Sequence, residues 1–126
     1  MRLARQLEGP ELSAYNHISQ LLTNRVRIVK VPWLPNGADG LTVANLVLVK
    51  KFVDPEDFRE LIAHELVHVR QWKEYGVVGF LFRYVRDYLK GLKKHRNHYQ
   101  AYLDIPFEIE ARAEAQQWHE ARRSVS

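Results

Sequence analysis

His64, Glu65 and His68 fall within the stretch IAHELVHVRQW. On an α-helix, positions four apart stand one above the other, so both imidazoles can reach a single ion beside the helix. Glu65 projects about 100° around from His64, out of direct ligation but within reach of a water held at that ion. These are the parts of a hydrolytic zinc centre, with the histidines as ligands and the glutamate as general base. The plain alternative is a core helix that carries two satisfied histidines. Shuffling a chain with six His and ten Glu would produce the pattern in roughly 2% of sequences, so the spacing alone is only suggestive. Its setting adds weight. Three polar groups in mid-helix among apolar neighbours are costly to bury unless each has a partner.

A hydrolytic zinc site needs three protein ligands and an open position for water. The chain has no cysteine, so the third ligand must be histidine or carboxylate, and no disulfide framework is available. A metzincin would need Gly and His where Gln71 and Glu74 stand. The Asn-Glu-x-x-Ser-Asp signature of thermolysin-like enzymes is also absent. About forty residues downstream, IPFEIEARAEA offers Glu108, Glu110 and Glu114 near the start of a helix.

With these residues in view, the chain resembles a minimal gluzincin, in which a second helix supplies a glutamate ligand through a Glu-x-x-Ala motif. Related patterns, usually Glu-x-x-Ala-Asp, occur in the CAAX-type prenyl-protein endopeptidases and the heat-shock membrane proteases. Glu108-Ile109-Glu110-Ala111 fits that motif. The resemblance implies Glu108 as third ligand, with Ala111 letting the two helices approach. Arg112 replaces the usual acidic residue, a departure from the pattern. The rival register takes Glu110 as ligand and Glu114 as the following acid. The likeness spans roughly residues 41–121, rests on two short motifs, and is nearer in scale to small bacterial gluzincin-like domains. It implies a zincin-like fold, a Zn2+ cofactor and a peptide or protein substrate. The alternative is a non-catalytic zinc-binding gluzincin scaffold that binds peptides or a membrane surface.

Other residues have weaker claims. Tyr102, His98 and Tyr99 precede the glutamate helix and are candidates for substrate contact or for donating to a developing oxyanion. A closed structural site would instead recruit His95, His98 or Glu110 as a fourth ligand. Trp33, Trp72 and Trp118 read as core aromatics. Between Arg83 and Arg96 stand six cations against Asp87 alone, a local balance of +5 that leaves the rest near −1. That segment suggests weak contact with an anionic membrane surface, against the plainer reading of a solvated helix face. No nucleic-acid partner is expected.

These groups need elements to position them. At 126 residues the chain fits one domain, residues 1–126, large enough for a core without staples. The opening residues lack the apolar run of a signal peptide and no apolar stretch is long enough to span a bilayer, so the expected location is cytoplasmic. PELSAYNHISQLL reads as a first helix after a basic tail. RVRIVKV and LTVANLVLV read as two strands joined by a turn-rich loop, hence an antiparallel pair. From Asp54 the period becomes helical, with Asp54 as N-cap, Pro55 at the first position, Glu56 and Asp57 in the first turn, and Gly76 as stop. A second helix follows over about 78–92, then a short one near 99–103, then a last helix opened by Pro106. The expected class is α+β: a small antiparallel sheet of two or more strands packed on the H-E-x-x-H helix, with about four helices.

Overall fold

The computed structural model describes residues 4–51, 54, 55 and 57–125. In chain order they form β1 (Ala4–Gln6), α1 (Gly9–Ala14), α2 (Gln20–Thr23), β2 (Arg27–Lys30), a 3-10 turn (Pro35–Gly37), β3 (Gly40–Val43), β4 (Leu46–Val49), α3 (Glu60–His95), α4 (His98–Leu103) and α5 (Pro106–Val125). The α+β class is as expected, and the details differ in instructive ways.

The four strands run in the order β1-β2-β4-β3. β1 pairs antiparallel with β2, β3 pairs antiparallel with β4, and β2 lies parallel to β4 in the register Ile28 to Val47. The sheet is therefore mixed, not antiparallel. The loop after β2 carries the chain to the outer edge to lay down β3. A tight reversal then returns β4 into the gap. LTVANLVLV is thus a hairpin instead of one strand, turned at Ala44 in the left-handed region with φ 56°. The expected basic tail supplies β1, whose Arg5 is buried and forms a forked ion pair with buried Glu11 of α1.

The first helical segment divides into α1 and α2. Glu8 and Glu11 form a reciprocal capping box around Pro10, and Ser19 caps α2 by accepting from the Leu21 amide at 3.2 Å. Five α-helices result among the described residues, where about four were expected.

The largest shift in a boundary is at α3. Its N-cap is Arg59, not Asp54, and Glu56 lies outside the described residues. The Asp57 amide donates to the Asp54 carbonyl at 2.9 Å, which closes a turn there, and the Arg59 amide donates to the Tyr15 hydroxyl at 3.0 Å. Phe58 packs against the core from this turn. Tertiary partners thus outweigh the local helix-start signal. At Gly76 the helix breaks, with φ 73° and ψ 167°, a combination open essentially to glycine alone. The expected stop is a corner between two helical halves. α4 and α5 form where expected.

The main core joins Ile28, Val47 and Val49 of the sheet to Ile62, Leu66 and Val69 of α3 and to Ala111, Ala115 and Trp118 of α5. Alanines at 63, 111 and 115, all fully buried, let α3 and α5 approach closely. A smaller, mainly aromatic cluster of Trp72, Phe80, Ile105 and Phe107 closes the far end, whereas Trp33, expected in the core, is exposed. Between these two clusters lie the histidines. Among the described residues, no helix is long and apolar enough to cross a membrane.

Candidate metal centre

Helical spacing stacks His64 over His68, with ring centroids 4.9 Å apart. Facing them is the first turn of α5, set by Pro106 and by the Glu108 amide donating to the Ile105 carbonyl at 2.9 Å. Glu108 projects from this turn between the rings. Its Oε1 lies 3.1 Å from His64 Nε2 and 3.0 Å from His68 Nε2. The three ligand-capable atoms lie within 4.8 Å of one another and can hold a metal ion.

The surrounding bonds fix how the imidazole of His68 presents itself. Gln71 Nε2 donates to the Phe107 carbonyl at 3.0 Å and to Glu110 Oε1 at 2.9 Å, so its amide oxygen must be the atom 2.7 Å from His68 Nδ1. An oxygen acceptor there requires a hydrogen on Nδ1. In the neutral ring the Nε2 lone pair then points straight at a carboxylate oxygen. Two lone pairs at 3.0 Å repel unless a cation, either a proton or a metal ion, lies between them. The donor set therefore fits a metal on its own chemistry.

The electrostatics agree. Burial pushes the Glu108 carboxyl up, but hydrogen bonds from His64 and His68, the His68 charge and the Tyr84 hydroxyl prevail and hold it well below the usual carboxylate range. Burial presses His68 down, and the Glu108 hydrogen bond and charge outweigh it and raise it. Tyr84 donates to Glu108 Oε2 at 2.7 Å and Tyr102 to Oε1 at 3.2 Å. Burial, then the Glu108 charge, pushes both phenols above their ordinary range, so they stay protonated donors.

Glu65 is buried beside the pair. Thr42 of β3 donates to it, its Oγ1 being 2.9 Å from Oε1 and 3.1 Å from the Glu65 carbonyl. Gly40 is what lets the strand come this close. A Cβ there would meet Leu61 Cδ1 at 3.1 Å and Glu65 Cγ at 3.3 Å. His64, Glu65 and Tyr102 line one cleft of about 270 Å3, together with Ala38, Asp39, Gly40, Glu60 and Leu61.

The remaining candidates lie elsewhere. Glu110 turns away from the histidines to Arg70 at 2.7 Å, and Arg70 also holds Glu114 at 2.6 Å. Glu110 touches the centre only through Gln71. His98 bonds Tyr88, His95 pairs with Asp104, and Tyr99 is exposed. Arg112 reaches back to the Leu103 carbonyl, which ties α5 to the end of α4. Three contributors were not singled out from sequence. Tyr84 reads as one of an apolar stripe, Gln71 as a residue that excludes another class, and Thr42 as an ordinary strand position. For Gln71 a signal existed: a buried amide three residues after a ligand histidine is suited to orient it. No protein-family model, no curated protein and no solved structure matches this chain.

Proposed function

We propose that the chain is a zinc-dependent peptidase of the gluzincin kind, with His64, His68 and Glu108 as ligands and Glu65 as general base. The observation that carries this is the convergence of both Nε2 atoms on one Glu108 oxygen, with Glu65 anchored beside them in the same cleft. A bound zinc ion supplies electrophilic activation of a carbonyl and acidifies a water molecule.

The protein's own residues do the rest. Thr42 ties one oxygen of Glu65, which fixes the carboxylate so that its other oxygen takes the proton of the attacking water and later returns it to the leaving amine. Tyr102 lines the cleft as a neutral phenol, and its hydrogen, on Glu108 Oε1 in this structure, would turn to the developing oxyanion. Tyr84 and Gln71 orient Glu108 and His68. An extended peptide suits the approach, because β3 is an edge strand and its Gly40 borders the cleft. Its outer edge, without a strand partner among the described residues, offers main-chain hydrogen bonds to a substrate strand.

The test is zinc content, then activity of Glu65→Gln. Wild type should retain about one zinc per chain, as expected of a three-ligand site. The variant should keep zinc and fold while hydrolysing a cleavable peptide at least about a hundredfold more slowly. A preparation that stays metal-free after incubation with zinc sinks the reading. Zinc binding with no cleavage across a peptide library replaces it with the non-catalytic scaffold.

A further inference from the structure

Beyond Gly76, α3 leaves a face uncovered. Val78, Leu81, Phe82, Val85 and Leu89 recur at intervals of three and four, so they form one stripe along the helix. They are 81%, 46%, 65%, 50% and 55% exposed. Phe80, Tyr84, Tyr88 and Gly91, on the opposite flank, turn inward. The stripe runs about 18 Å from Val78 to Leu89. A contiguous apolar strip of this kind on a protein surface marks something to be covered.

What covers it is indicated by the next stripe around the helix. Arg86 follows Phe82 by four positions and Lys93 follows Leu89 by four, which sets these cations about 40° further round. Arg83, Lys90 and Lys94 continue that arc, and all five are exposed. Arg86 lies with its guanidinium 5.8 Å from the Phe82 ring centre and pairs with Asp87 at 3.2 Å, the one acid of the segment. Arg83 lies over Tyr75 at 4.9 Å.

We propose that this half of α3 lies in the plane of an anionic lipid surface, with the stripe from Val78 to Leu89 among the acyl chains and the bordering cations at the headgroups. Charge decides among occupants. A second copy docked stripe to stripe would bring together two segments each carrying +5, which repel. A nucleic acid would neutralise the cations but leave the apolar stripe in water. An anionic bilayer satisfies both at once, because long cationic side chains reach headgroups while neighbouring apolar groups enter the boundary. Among the described residues none of the stripe lines the cleft beside His64, so surface binding is independent of the proposed chemistry.

The experiment is co-sedimentation of the full chain with vesicles of phosphatidylcholine alone or with about one third phosphatidylglycerol, at low and high salt. Binding should require the anionic lipid and weaken as salt rises. Phe82→Ser with Leu89→Ser should lower binding by more than about tenfold. Arg86→Ala with Lys90→Ala should lower it by at least about tenfold. Both pairs are exposed, and circular dichroism with melting temperature checks that they fold. Where an apolar variant fails to fold, lipid selectivity of wild type and the charge variant decide. No binding to anionic vesicles, or equal binding to neutral ones, overturns the proposal. So does a concentration-dependent dimer that the serine variant breaks while vesicles stay unbound, or selective binding of a nucleic acid instead of vesicles.

Discussion

The two halves of α3 differ in what surrounds them. Before Gly76, residues Ile62, Ala63, Leu66, Val67, Val69 and Trp72 are buried, and so are Glu65, His68 and Gln71. Each of those three polar side chains has a named partner on another element or one turn along: Thr42, Glu108, or the Phe107 carbonyl. After Gly76, only Phe80 and Gly91 are buried. Burial forces a polar group to find a partner, and the partner then fixes its tautomer, orientation and charge. In the second half most polar groups are exposed, Tyr84 being the one that reaches back to Glu108, and a row of apolar residues is left uncovered. One half thus holds its polar side chains in fixed positions, and the other leaves an apolar stripe exposed.

The halves meet at Glu108, which touches His64 and His68 from one and Tyr84 from the other. The sharpest way to break this picture is Glu108→Ala, which should lower zinc affinity by orders of magnitude. Glu110→Ala should stay within about tenfold. Competition with a chelator measures both, and a larger loss at Glu110 reverses the roles of the two carboxylates.

Packing gives the next contrast. Leu66→Ala should cost about 2–5 kcal/mol in urea unfolding, since nothing nearby can fill the space. Leu89→Ala should stay within about 0.5 kcal/mol. Equal costs would mean that the second half is covered in solution by a partner that stabilises the fold.

At the corner itself, Gly76→Ala should destabilise by about 1–3 kcal/mol through its backbone alone. Apart from its chain neighbours and the helix's own backbone, nothing lies within 4 Å of the added Cβ. A neutral result would mean that the helix straightens and that Tyr84 leaves Glu108, which the loss of its hydrogen bond would reveal.

The smallest effect concerns pH. His17 donates its Nε2 hydrogen to the Ala63 carbonyl at 2.9 Å, and its buried Nδ1 has no partner among the described residues. Burial holds its pKa below the ordinary value. The unfolded chain therefore takes up a proton near pH 6.5 while the folded one resists, so stability is full above that pH and declines below it. His17→Leu should show a pH dependence flatter by less than about 1 kcal/mol between neutrality and pH 5. An unchanged slope means that His17 does not titrate in that window.

Elements whose signals repeat were the legible ones. The i, i+4 spacing in α3, Pro106 ahead of α5 and Ala111 were all readable, and the resemblance to gluzincins added Glu108 to the two histidines. The sheet was harder because its strands have three or four residues each. β1 is Ala-Arg-Gln, which carries no β-pattern, and its burial comes through the Arg5–Glu11 pair. The hairpin turn uses Ala44 and Asn45 without glycine, so an apolar run hides a reversal. That the second strand in the chain lies beside the fourth follows from where a loop crosses, which no local pattern encodes. Tyr84 was missed because an aromatic at helical spacing looks the same whether its hydroxyl faces water or a carboxylate.

The hydroxyl of Thr42 has one hydrogen and two waiting acceptors, Glu65 Oε1 and the Glu65 carbonyl. A rotor so placed is never idle. With the carboxylate charged, the hydrogen points to it. Once the other oxygen carries a hydrogen, Oε1 is still an acceptor, so the Thr42 hydrogen stays on it or is shared with the Glu65 carbonyl. Either way the Thr42 hydroxyl keeps an acceptor, and a turn about one side-chain bond suffices with the strand at rest. A change of charge on Glu65 can therefore come and go without disturbing the scaffold that holds it.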